Sequence, residues 1–230
     1  GNADAIFSVV WNHDGTQLVS GSRDGCIKIW DTSTGTCTKI IEMPTHIWSV
    51  TLDKEGKFIL AGIHNGTIGV INKETEASSL VKNHDRAIFA ATISHNNKLY
   101  ASSSWDGKIK IHNFQTGASI RLLQSLPHLP TNRSFAVAFN PDDTLIANGF
   151  SNGTIKIWSV ATGTLLATLQ GHTNVVFSVA WTPEGTQLIS CSKDGSIRLW
   201  NLPMLKKLDP LSLDQILVIA CQKNSITVDS

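Results

Sequence analysis

Charge is scarce in this sequence. Only 16% of its 230 residues are Asp, Glu, Lys or Arg, against about 25% in an ordinary globular protein. Nineteen basic residues balance 18 acidic ones to a net charge of +1. Neither sign forms a run, so the basic stripe that a polyanion-binding surface needs is missing. Long apolar segments are missing as well. The longest, Ile216 to Cys221, has six residues, where a membrane-spanning helix needs about 20. The four cysteines, Cys26, Cys37, Cys191 and Cys221, show no C-x-x-C spacing. They make neither a disulfide framework nor a zinc motif, and reduced thiols in a cytoplasmic protein are expected. The chain opens with no signal peptide, but also with Gly rather than Met, which leaves room for an upstream segment.

What is abundant is glycine and tryptophan: 17 Gly and seven Trp stand beside a single Tyr. Low charge with this apolar content goes with heavy burial and excludes disorder. The glycines are periodic. An Asp-Gly or Asn-Gly pair recurs at Asp24-Gly25, Asn65-Gly66, Asp106-Gly107, Asn152-Gly153 and Asp194-Gly195, at intervals of 41, 41, 46 and 42 residues. Such pairs suit tight turns because Gly, Asn and Asp tolerate positive φ. Each is followed by an alternating strand, such as Ser196 to Trp200, and preceded by two more, such as Val175 to Trp181 and Gln187 to Cys191. A fourth strand follows, as in Thr164 to Leu169. Four short antiparallel strands per 42 or so residues, without an intervening helix, make one propeller blade.

Gly171-His172, Val179-Ala180-Trp181, Ser190, Asp194-Gly195 and Ile197-Arg198-Leu199-Trp200 resemble a WD repeat, and Ile29-Trp30-Asp31 carries the Trp-Asp pair itself. The resemblance covers residues 5 to 200 and implies an all-β propeller that displays protein-binding surfaces. Its repeats are expected over 5–42, 47–82, 87–124, 135–169 and 175–200. That places a propeller at 1–200 and a tail closing or capping the last blade at 201–230. The resemblance also implies a buried network in each blade, joining a His, a Ser, the turn Asp and the Trp. His172, Ser190, Asp194 and Trp200 match it fully; His84, Ser102 and Asp106 match in the third repeat, where His112 replaces the Trp. Ser20, Asp24 and Trp30 match in the first. The second repeat (Ala61, Asn65, Ile71) and the fourth (Asn148, Asn152, Trp158) are degenerate, with Asn still able to satisfy the turn amides.

Rings of this family usually have seven blades, and the 34 residues before residue 5 and after residue 200 cannot supply two more. Five blades close alone, the chain is an excerpt, or a ring is completed by further blades or a second copy. In the tail, Ser212 with Gln215 resembles a capping box, and Leu213, Ile216, Leu217 and Ala220 fall at helical spacing. A short helix is expected there; a strand over Ile216 to Ile219 is the other reading.

No catalytic constellation emerges. Gly149-Phe150-Ser151-Asn152-Gly153 fits G-x-S-x-G, but that motif needs a strand-to-helix turn, and here it is in register with the strand-to-strand turn Gly21 to Gly25. Neither Gly56-Lys57 nor Gly107-Lys108 sits in a P-loop pattern. His46 and His64 share a repeat but lack further ligands for a metal, and no cofactor is expected. Lys28, Lys108, Lys110, Lys156 and Arg198 alternate with apolar residues and read as the solvent face of the Trp strands.

One pattern points to a surface. Five residues after the family's His position stand Phe7, Trp48, Phe89, Phe135 and Phe177. Two positions earlier stand Ala5, His46, Ala87, Arg133 and Val175, and before each turn stand Arg23, His64, Trp105, Ser151 and Lys193. Carried over by resemblance, these fifteen form the top face of the propeller. Aromatics ringed by Arg, His and Lys, with no acid among them, suit an acidic or aromatic protein segment. Plugging a narrow channel is the rival role. The seven tryptophans divide accordingly: Trp30, Trp158 and Trp200 hold networks, Trp11 and Trp181 close first strands against the core, and Trp48 and Trp105 face a partner. The expected function is a non-catalytic interaction module, a scaffold or sensor, without nucleic acid or membrane. A propeller hydrolase at the channel mouth is one alternative, and a C-terminal sensor module of a bacterial signalling ATPase another.

Overall fold

The computed structural model describes residues 4–124, 132–202, 217–220 and 225–226, the last two segments by backbone alone. All regular structure within them is β. Four strands make the first sheet: β1 (Ile6–Trp11), β2 (Gln17–Ser22), β3 (Cys26–Asp31) and β4 (Cys37–Glu42), paired antiparallel in sequence order. The second comprises β5 (Ile47–Leu52), β6 (Phe58–Ile63), β7 (Thr67–Asn72) and β8 (Ser78–Lys82). The third comprises β9 (Ile88–Ile93), β10 (Leu99–Ser104), β11 (Ile109–Asn113) and β12 (Ser119–Leu123). The fourth comprises β13 (Ser134–Phe139), β14 (Leu145–Phe150), β15 (Ile155–Ser159) and β16 (Leu165–Gln170). The fifth opens with β17 (Val176–Trp181), β18 (Gln187–Ser192) and β19 (Ile197–Asn201).

The turn glycines explain the hairpins. Gly25, Gly66, Gly107, Gly153 and Gly195 all take φ between +78 and +84°, a region closed to most side chains. At Gly153 a Cβ would also lie 2.2 Å from the His172 carbonyl oxygen. The G-x-S-x-G stretch lies on such a turn, between β14 and β15, and leads into no helix.

Each first strand packs on the next, β1 on β5, β5 on β9, β9 on β13 and β13 on β17. The apolar core therefore lies between sheets. One cluster joins Val19, Ile27 and Ile29 of the first blade to Ile47 and Val50 of the second. Another joins Ala147, Ile155 and Ile157 of the fourth to Val176 and Val179 of the fifth. An inner sheet has a blade on each side and no solvent face, which corrects the reading of Lys156; the reading of Lys28, in the first sheet, is corrected by its observed burial. Lys28 is buried, and Lys156 lies half-buried with its Nζ 5.4 Å from the Phe150 ring centroid. Burial pushes the Lys156 ammonium below its ordinary range.

Two further corrections concern the ends. Trp11, expected against the core, is exposed, because among the described residues no blade packs on the outer face of β1. Trp181 is half-buried and its indole N–H donates to the Ala138 carbonyl at 3.3 Å. In the tail, Leu217–Ala220 is not helical but forms β20, parallel to β16 with Ala167 opposite Leu217. A Leu-Val-Ile run favours a strand, and β16 offers an open edge. Ser212, Leu213, Gln215 and Ile216 lie outside the described residues. A two-residue strand, β21 (Ser225–Ile226), pairs with β19.

Candidate functional site: an aromatic stack across five blades

The site begins with a fault repeated in every blade. The antiparallel register of the first strand slips by one residue near its start, and the unpaired residue is Phe7, Trp48, Phe89, Phe135 or Phe177 in turn. Ile6 pairs with Ser22 and Ser8 with Gly21, leaving Phe7 outside the ladder. The same skip falls between Ile47 and Ser49 and between Val176 and Ser178. A bulge re-aims the side chain of its extra residue. Five bulges in step aim five aromatics at one another.

They pack ring against ring in chain order, Phe7 and Trp48 stacked, the next two pairs tilted and Phe135 edge-on to Phe177. Ring centroids lie 4.2 Å apart for Phe7 and Trp48, 4.5 Å for Trp48 and Phe89, 4.8 Å for Phe89 and Phe135, and 5.9 Å for Phe135 and Phe177. These separations lie in the range of favourable aromatic pairing. Trp105 joins from the turn of the third blade, stacked on Phe89 at 4.8 Å, and the Arg133 guanidinium covers it at 4.4 Å. Trp48 donates its indole N–H to His64 Nδ1 at 3.0 Å, and His46 and His64 rings stand 5.3 Å apart. Phe7 and Phe177 end the stack exposed, while Trp48, Phe89, Trp105 and Phe135 are half-buried within it. Trp48 and Trp105 are thus packing members as well as surface.

Two of the top-face cations stand apart. Arg23 reaches the exposed Asp4 carboxylate at 3.8 Å, an acid at the edge of the face. Lys193 is exposed and makes no ring contact among the described residues. Ser151 holds the turn of blade four, its hydroxyl accepting the Arg133 amide at 3.0 Å.

Beneath the stack, buried networks fix the blades. In the fifth, the Trp200 indole donates to Ser190 Oγ at 2.8 Å, Ser190 donates to His172 Nε2 at 2.8 Å, and His172 Nδ1–H donates to Asp194 at 2.8 Å. Burial pulls the His172 pKa down by more than the Asp194 carboxylate raises it. Burial would raise the Asp194 carboxyl, but donors from Ser196, Thr173 and His172 outweigh it and hold it well below the carboxylate range. In the third blade His84 joins Asp106 and Ser102, each at 2.9 Å. His112, in the Trp position, takes a hydrogen bond from Asn83 at 2.9 Å, and burial lowers its pKa. Asn83 completes this network, a substitute that repeat comparison alone passed over. The first blade has Trp30 on Ser20 at 2.9 Å and Asp24 accepting the Cys26 amide at 2.9 Å. In the fourth, Asn148 turns its amide to Ser134 and the Ala136 carbonyl, both at 2.6 Å, and the buried Trp158 indole N–H has no partner among the described residues. In the second, buried Ala61 and Ile71 replace the polar lock with apolar packing.

Among the described residues no three His, Cys, Asp or Glu side chains gather as a metal site, and no helix is long and apolar enough to cross a membrane.

Comparison with known proteins agrees with this geometry. The model of the "WD domain, G-beta repeat" matches residues 1–31, 76–113, 121–159 and 163–201, leaving unmatched the stretch 32–75, which holds the first three strands of the second blade and its apolar lock. The chain is similar to WD repeat and SOCS box-containing protein 1 of Takifugu rubripes, 55% identical over 38 residues, or 16% of this chain and 9% of that protein. It is similar to nuclear distribution protein nudF of Emericella nidulans, 55% identical over 31 residues, 14% and 7% of the two chains. A probable serine/threonine-protein kinase, PkwA, of Thermomonospora curvata is 47% identical over 49 residues, 21% of this chain and 7% of the kinase. The matched segments thus span less than a tenth of these relatives' own lengths. The family matches, by contrast, cover well over half of the chain, and the chain belongs to the WD-repeat family.

Proposed function

We propose that this protein is a non-catalytic interaction module, a cytoplasmic scaffold or sensor whose top face receives an acidic or aromatic segment of a protein partner. The observation that carries the reading is the aromatic stack, aligned by one bulge per blade and continuous from Phe7 to Phe177. Stacked rings with exposed ends supply rigid apolar area at little entropic cost, the composition of an interface hot spot. Arg133, His46, His64, Arg23 and Lys193 around it favour carboxylates over ammonium groups. A second reading, a sensor module joined to an effector domain, draws on the likeness to the Thermomonospora curvata kinase.

The test uses Trp48→Ala and Phe89→Ala, with a labelled acidic, aromatic peptide selected from a random library on the wild-type protein. Each variant is expected to weaken binding at least tenfold while shifting the melting temperature by only a few degrees. Binding retained together with a collapse in stability would assign the stack to core packing instead.

A further inference from the structure

The five turns that join a first strand to a second repeat one device. The residue after each first strand turns its side chain back to accept the amide five residues on. Asn12 accepts from Gln17 at 2.8 Å, Asp53 from Phe58 at 2.7 Å, Ser94 from Leu99 at 2.9 Å, Asn140 from Leu145 at 2.8 Å and Thr182 from Gln187 at 3.3 Å. Four of these anchors are neutral, and each spends its remaining capacity inside its own turn. The Asn12 and Asn140 amides donate to Thr16 and Thr144, and the Ser94 and Thr182 hydroxyls donate to the Leu99 and Gln187 carbonyls.

Blade two uses a carboxylate instead. Asp53 is 4% exposed, and while its Oδ1 holds the turn, its Oδ2 has no partner among the described residues. Two residues along, Asp14, Asn96 and Asp142 also brace their turns, each accepting a backbone amide. Glu55, in the same position of blade two, is exposed and makes no side-chain bond among the described residues. Asn12 and Asn140 show that a neutral amide anchors such a turn equally well, so the fold does not call for the charge on Asp53. Buried charges are ordinarily paired, and this one lacks its partner.

Asp53 and Glu55 line a hollow of about 630 Å³ between blades two and three, at the end of the strands opposite the Asn-Gly and Asp-Gly turns. Its walls are tied across the two blades. The Asn97 side-chain carbonyl accepts the Lys54 amide at 3.2 Å, and Phe58 and Phe114 meet edge to face at 5.9 Å. Exposed Lys98 is the one cation lining the hollow among the described residues, so two carboxylates to one ammonium leave it acidic.

We propose that this hollow binds a guanidinium group. A guanidinium only donates hydrogen bonds, its planar fork suits a carboxylate with a free oxygen, and its weak hydration eases burial. Its flat face also packs on aromatic rings, which Phe58 and Phe114 supply. The proposal does not rest on the top-face reading.

The test follows the backbone NMR signals of the full chain during titration with acetyl-Gly-Arg-Gly amide, its citrulline counterpart and propylguanidine. The arginine peptide is expected to move the Lys54, Asn97 and Phe114 amide signals and to bind at least tenfold tighter than the neutral citrulline peptide. Propylguanidine binding as tightly as the arginine peptide would point to a free guanidine as the natural ligand; weaker binding would point to an arginine in a protein segment. Asp53→Asn keeps the turn anchor, so it should melt no lower than the wild type and bind the arginine peptide at least tenfold more weakly. Equal binding of the citrulline peptide, undiminished binding by Asp53→Asn, or no arginine-dependent shift at millimolar peptide would each overturn the proposal. So would an Asp53→Asn protein that melts well below the wild type, which would give the carboxylate a structural task.

Discussion

Single residues decide how firmly each blade is held. Ser190 is the hinge of the fifth-blade network, accepting from Trp200 and donating to His172. Ser190→Ala strands both partners in a buried site and should cost about 1–3 kcal/mol, measurable by urea unfolding. The network also sets a pH dependence. His172 titrates below its unfolded value of about 6.5, so the unfolded chain binds the proton first. Its contribution is complete above that pH and is lost as pH falls from there through the folded value. Asp194, held low, adds a contribution that is complete above its unfolded value of about 3.9 and is lost in stronger acid. Both signs agree: the melting temperature should fall from pH 7 to pH 5 and further below pH 4, and His172→Gln should flatten the first fall. The lock residues Ser, Asp and Trp are legible in the sequence because each occupies a fixed offset from a turn. Asn83 is not, since its partner His112 lies 29 residues away and only packing brings them together.

At the scale of strands and turns, the sequence carries the blade period clearly, because these hairpin turns need positive φ, which an Asn-Gly or Asp-Gly pair supplies readily. Five positive-φ glycines stand where the repeat places them. The bulges are not legible: alternation predicts that Phe7 and its counterparts point to one sheet face, while one skipped residue re-aims them into a common stack. The solvent-face reading of Lys156 fails for a related reason, as alternation does not reveal that both faces of an inner sheet are covered. Close approach between sheets gives a prediction here. Gly149→Ala should destabilise by about 1–3 kcal/mol through overpacking against Val176, and Val176→Ala in the same chain should recover part of that loss in a thermal melt. A purely conformational role for Gly149 would leave the double variant no better than the worse single one.

For the molecule as a whole, the five-blade array and its family membership were foreshadowed by the repeat, while in the tail the helix expected first gives way to the strand that was the other reading. Leu217 to Ala220 satisfies helical spacing, yet an unpaired edge on β16 recruits it as a strand. The central claim is recognition by the aromatic stack, and its most direct test is oxidative footprinting of the tryptophans with and without the selected acidic peptide, read by mass spectrometry. Trp11 is exposed and makes no ring contact with the aromatic array among the described residues, so it serves as the internal control. The account predicts that oxidation of Trp48 and Trp105 slows several-fold on peptide binding while Trp11 is unchanged. Protection confined to Trp11, or no change at Trp48 and Trp105 at saturating peptide, would contradict it.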